Sequence, residues 1–168
     1  MSQAWDEILD AELPKAERLA ILGVGNERKG DDAAGVLCVA LILRMLTALR
    51  PDVLIINGGE APENETGRIR KFKPSHVLVI DAGLGGQAPG TIFFVDPQAV
   101  SVDDLSTHHL PLSLLLRYLE VSLECRVICL AIEPRLVEMG RGLSDEVKRG
   151  VAALAERVVG LLERKPLL

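Results

Sequence analysis

Asp31 and Asp32 close the octet Gly25-Asn26-Glu27-Arg28-Lys29-Gly30-Asp31-Asp32, in which a GxxxxG spacing ends in two carboxylates. A phosphate loop of that spacing continues with Lys and Ser or Thr, which meet phosphate and Mg²⁺. Aspartates in those places repel an anion. The dinucleotide fingerprint fails too, because Gly23-Val24-Gly25 needs its third Gly where Arg28 stands. A cation, or a group carrying one, suits the loop better. Asp81 closes the apolar run that starts at His76, and His108 and His109 lie in a polar stretch between Val95 and Leu110. Asp32, Asp81 and His108 together offer an O, O, N donor set that fits Ni²⁺, Zn²⁺ or Mn²⁺. A helix entrance at His108 disfavours the imidazolium, leaving the neutral ring a metal requires.

Each candidate has a plainer reading. Asp31 or Asp32 caps the following helix as readily as it does chemistry. Asp81 is harder to dismiss, because a carboxylate ending an apolar strand needs a compensating partner. Glu60 and Glu63 are acid/base candidates, but beside Pro62 they also read as first-turn helix acids. Glu133, after the last strand, is a weaker candidate, and His76 reads as a solvated edge residue. Cys38, Cys125 and Cys129 lie in apolar runs with no disulfide or Cys₄ zinc spacing, and Cys38 reads as core filler. HExxH, GxSxG and CxxC motifs are absent.

The elements that must position these residues alternate regularly. Strand-like runs at Leu19–Val24, Val53–Asn57, His76–Asp81, Thr91–Val95 and Arg126–Ile132 are mostly apolar on both sides, as in strands covered by helices on both faces. Helical patterns fall between them: Ala33–Leu49, apolar nearly all round; a stripe of Leu112, Leu115, Leu116 and Leu119 after Pro111; and Val147, Val151, Leu154, Val158 and Leu161 after a Ser144 N-cap. A further helix precedes Pro14. The expectation is an α/β fold, a three-layer α/β/α sandwich with a twisted, mostly parallel five-stranded sheet, as one domain over 1–168 with residues 1–17 as a helical extension. Ligands in such sheets collect beyond the carboxyl ends of the strands, where Asp32, Asp81 and His108 would converge.

At 168 residues the chain suits one domain with a sizeable core. Apolar residues make up 48% but aromatics only 3%, so the core must be aliphatic. A net charge of −5 argues against a general nucleic-acid binder. No signal-peptide pattern opens the chain, and Ala33–Leu49, carrying Arg44, is a poor membrane span; a cytoplasmic location is expected.

Four motifs in order, Leu22-Gly23-Val24-Gly25-Asn26 with Gly30-Asp31-Asp32, Gly59-Glu60-Ala61-Pro62-Glu63-Asn64, Val79-Ile80-Asp81-Ala82 and Thr107-His108-His109-Leu110-Pro111-Leu112, resemble the nickel-iron hydrogenase maturation proteases, most nearly the hydrogenase-3 type. The resemblance implies an endopeptidase, aspartic-type or metal-assisted, that removes a C-terminal extension from the hydrogenase large-subunit precursor after nickel insertion. It implies that Asp32, Asp81 and His108 contact nickel supplied by the precursor, that Asp32 and Asp81 are catalytic, and that Asn26, Glu63 and His109 contact substrate. Ala33 stands where many relatives carry Gly, which is tolerable if the turn needs no positive φ. The rival reading is a non-catalytic nickel-sensing chaperone of the same precursor.

Overall fold

A computed structural model describes residues 4–96 and 112–164. In chain order it comprises α1 (Trp5–Glu12), β1 (Leu19–Val24), α2 (Ala34–Met45), β2 (Val53–Gly59), α3 (Thr66–Phe72), β3 (His76–Ala82), β4 (Ile92–Val95), α4 (Leu112–Leu123), β5 (Arg126–Ile132) and α5 (Asp145–Arg164), with 3-10 turns at Leu13–Lys15, Gly30–Ala33 and Pro62–Glu65. The sheet order is β2-β1-β3-β5-β4. Only β4 is antiparallel, pairing with β5 at the edge; β1, β2, β3 and β5 pair in parallel.

Period-two alternation sorts each strand's side chains between two cores. Ile21, Leu78, Ile80, Ile128 and Leu130 meet Ile8 and Leu9 of α1, Val39 and Ile42 of α2, and Val151, Leu154 and Val158 of α5. Ala20, Leu22, Val77, Val79 and Val127 meet Ile69 of α3 and Leu115, Leu116 and Leu119 of α4. This is the expected α/β/α sandwich, and it explains why β1 and β3 are buried at every position. The apolar girth of α2 is also accounted for, because it packs on the sheet and on α5.

Three local expectations need correcting. The helix expected over Ala33–Leu49 begins with a 3-10 turn and stops at Met45, where Leu46 turns extended at ψ 130° so that the chain can reach β2. Asp31 and Asp32 lie inside that turn, and α2 has no side-chain cap. His76 is not solvated: β3 lies inside the sheet, and His76 is 9% exposed, its Nε2 3.5 Å from Glu12 Oε2 and its Nδ1 3.0 Å from Ser75 Oγ. Ala33 sits at φ −77°, so a residue with a Cβ is at no disadvantage there.

Candidate active site

The sheet order fixes where a site can form. From β1 the chain crosses to β2 on one side, and β3 then adds on the other, so the connections leaving β1 and β3 part at their carboxyl ends. Such a switch point leaves a crevice between two adjacent parallel strands. Asp32 follows β1 and Asp81 is the penultimate residue of β3.

Close packing binds the two ends together. A Cβ on Gly35 would come within 2.4 Å of the Val24 carbonyl oxygen and 2.2 Å of that of Ile80, so the start of α2 rests directly on the ends of β1 and β3. The Gly30–Ala33 turn that carries Asp32 packs against β3. Asp32 is 8% exposed; its Oδ2 accepts the Asn26 backbone N–H at 2.9 Å. Its carbonyl lies so close to Gly25 that a Cβ there would meet it at 1.9 Å.

Asp81 is 1% exposed. Alternation with Val77 and Val79 puts it on the α3/α4 face, its register partner being Ala131. Cys129 lies on the same face; burial, and then the Asp81 charge, push its thiol above the ordinary range. Cys38 is pushed up to about 12 by burial, so it is inert core filler as expected. Helix α4 ends shortly before β5 begins, so its N-terminus, about 18 Å away at 1.5 Å per residue, lies towards the carboxyl end of the sheet. His108 and His109, expected just before α4, lie outside the described residues. Among the described residues, no group of three His, Cys, Asp or Glu side chains is gathered to hold a metal ion.

The remaining candidates separate. Asn26 Nδ2 donates to Glu60 Oε1 at 3.1 Å, joining the loops after β1 and β2. Both line a cleft of about 400 Å³ with Gly25, Asn57, Gly59 and Met139. Glu63 falls in the first turn after Ala61, as its plainer reading had it; its Oε2 is shielded from solvent without a hydrogen bond. Glu133, 5% exposed, accepts the Gly85 N–H at 2.7 Å and so tethers the loop leaving β3. The larger depression of about 890 Å³, between α1, β4 and α5, includes none of these candidates.

For Asp31 sequence reasoning offered a cap or chemistry and missed its part as a tie to a distant loop. Asp31 is fully buried, with Oδ2 accepting the N–H groups of Arg135 (2.8 Å) and Leu136 (2.9 Å) and the Ser144 hydroxyl (2.8 Å), and Oδ1 the Ser144 N–H (2.7 Å). Burial alone would raise its pKa; the bonds from Leu136, Ser144 and Arg135 outweigh that and hold it below the usual carboxylate value. The signal was distant: Ser144 was read only as a cap, whereas its hydroxyl donates across more than a hundred residues of chain.

The family model described as hydrogenase maturation protease matches residues 37–161. A putative hydrogenase maturation protease of Methanocaldococcus jannaschii is 30% identical over 96% of this chain and 98% of its own length. The hydrogenase 3 maturation protease of Escherichia coli is 33% identical over 83% and 88%. The crystal structure of the [NiFe] hydrogenase maturation protease HycI from Thermococcus kodakarensis superposes with a TM-score of 0.84 at 31% identity, covering 93% of this chain and 99% of that one. With a matching fold and similarity spanning nearly the whole chain, this protein belongs to the hydrogenase maturation protease family.

Proposed function

We propose that the chain is an endopeptidase that removes the C-terminal extension of a nickel-iron hydrogenase large-subunit precursor once nickel is in place. The observation that carries this reading is two buried carboxylates, Asp32 in the turn that follows β1 and Asp81 at the end of the adjacent strand β3. Family membership supplies the reaction class, and the E. coli relative is named as a protease of hydrogenase 3.

Nickel arrives as part of the substrate. Asp32, Asp81 and His108 form a three-donor set from separate segments, which leaves positions for ligands brought by the precursor. Two hard oxygen donors and one imidazole recognise a borderline cation and hold the loaded precursor so that its scissile peptide lies against the crevice. Asn26, Glu63 and His109 contact the polypeptide around it. In hydrolysis one carboxylate takes a proton from water as its oxygen attacks the peptide carbonyl, and the proton then passes to the leaving amine as the C–N bond breaks. In the metal-assisted route the carbonyl is polarised by the cation; in the aspartic route the two carboxyls divide the acid and base roles. A cytoplasmic setting suits three free thiols. No helix among the described residues is long and apolar enough to cross a membrane.

Intact mass of the precursor after incubation with the protein, with and without nickel, is the test. Loss of a C-terminal peptide from the loaded form alone supports metal-gated proteolysis. A stable complex with unchanged mass in both samples replaces it with the nickel-sensing chaperone reading.

A further inference from the structure

Beyond the carboxylate pair, the best-organised polar feature is the tie between the Gly30–Ala33 turn and the chain between β5 and α5. Asp31 meets that chain at both ends, through Arg135 and Leu136 on one side and Ser144 on the other. Backbone bonds continue the seam: Asp31 N–H to the Leu136 carbonyl, Gly30 N–H to that of Arg141, and Gly140 N–H to that of Arg28. Gly30, at φ +54°, has no room for a side chain, because a Cβ would stand 2.6 Å from the Leu136 carbonyl oxygen. A loop fastened this firmly nevertheless turns apolar side chains outward: Leu136, Val137 and Met139 are 43%, 40% and 60% exposed. Met139 also forms one wall of the cleft that Gly25, Asn26, Asn57 and Glu60 line, beside Asp32.

We propose that Asp31 is a positioning residue for substrate selection, holding the 135–144 loop so that Met139 overhangs the cleft and docks an apolar side chain of the precursor next to the scissile peptide. This rests on the proteolytic reading above. The rest of the lining is polar, with amide groups from Asn26 and Asn57 and charges from Glu27, Arg28 and Glu60 that suit a peptide backbone and polar side chains, while a thioether on an unbranched chain adapts to an apolar side chain. The occupant is therefore a segment of the precursor polypeptide that sets one apolar side chain against Met139 and polar groups against the rest of the cleft. Asp31 touches neither substrate nor water in the reaction; it acts through the loop.

Steady-state processing of nickel-loaded precursor by wild type, Asp31→Asn, Ser144→Ala, Met139→Ser and the Asp31→Asn/Met139→Ser double variant tests this. Docking energy shared by ground and transition states shows in KM, so each single variant is expected to raise KM, Asp31→Asn and Met139→Ser by about tenfold, with kcat held within about twofold. The double variant is expected to fall well short of the product of the two effects, because both changes act on one contact. Unchanged KM in Met139→Ser, whose exposed side chain can be lost without unfolding the protein, overturns the docking role. A fall in kcat at constant KM in folded Asp31→Asn overturns the positioning role and puts that residue in the chemistry. If wild type binds the precursor without shortening it, proteolysis fails as the function, and the same series read as Kd still decides the docking role. A wild type that neither binds nor cleaves overturns both.

Discussion

Asn in place of Asp32 or Asp81 keeps the side-chain shape while removing the charge that binds a cation or takes a proton. Each variant is expected to remain folded, by circular dichroism, and to lose at least about a hundredfold in processing rate, the usual scale for a general acid or base. A rate within threefold of wild type in either would remove that residue from the chemistry. Asp31 is expected to behave differently from its neighbour. Its hydrogen bonds run to an ionised carboxylate, so Asp31→Asn should cost about 1.5–3 kcal/mol in urea denaturation. Because its folded pKa is lowered, that contribution is present above the unfolded carboxyl value of about 3.9 and is lost as pH falls through it towards the folded pKa. Melting wild type and variant side by side between pH 7 and pH 3 checks the sign: the gap should narrow only at the acid end. Adjacent aspartates with such different surroundings could not be told apart by spacing, since what separates them is a partner loop far along the chain.

Helix α2 is placed by the absence of a side chain. Alanine normally stabilises a helix over glycine by about 1 kcal/mol. At Gly35 the sign should reverse, because the new Cβ meets the Ile80 and Val24 carbonyl oxygens at 2.2 and 2.4 Å; overpacking of this kind costs about 1–3 kcal/mol. Thermal denaturation of Gly35→Ala checks this, and a raised melting temperature would show that α2 can shift away from the strand ends. The elements themselves were legible in sequence because apolar periodicity is a local signal: all five strands and the helical stripes of α4 and α5 lie where it put them. Helix ends were less legible. Nothing in the apolar run beyond Met45 announces that Leu46 turns extended, a choice made by the need to enter β2. His76 was misread for a related reason: its neighbours in sequence do not reveal that β3 is interior or that Glu12 of α1 reaches it. The burial of Asp81 was legible because it closes an apolar strand, whereas Asp32 sits in a turn eight residues beyond β1 and its burial was not; nor was the 135–144 loop, because its fastening is nonlocal.

Two cores, one on each face of the sheet, make the molecule depend on its N-terminal helix. Ile8 and Leu9 are 6% and 0% exposed, joining α1 to the core shared by α2 and α5, and Arg157 of α5 pairs with Asp10. Burying each such side chain is worth about 1.5–3 kcal/mol, so deleting residues 1–17 should remove several kcal/mol and lower the urea midpoint markedly. The crevice between β1 and β3 lies elsewhere, so the truncated chain, where folded, is expected to keep a near-normal kcat. A collapse of kcat at full folding would instead tie α1 to the reaction.

The aromatic poverty of the chain has an optical consequence. Its single tryptophan, Trp5, is half-buried on α1, and its single tyrosine, Tyr118, is half-buried on α4, against the opposite face of the sheet. Tryptophan emission therefore watches one core and tyrosine absorbance the other. Denaturation followed at both reports, without any label, whether the two sides of the sheet come apart together.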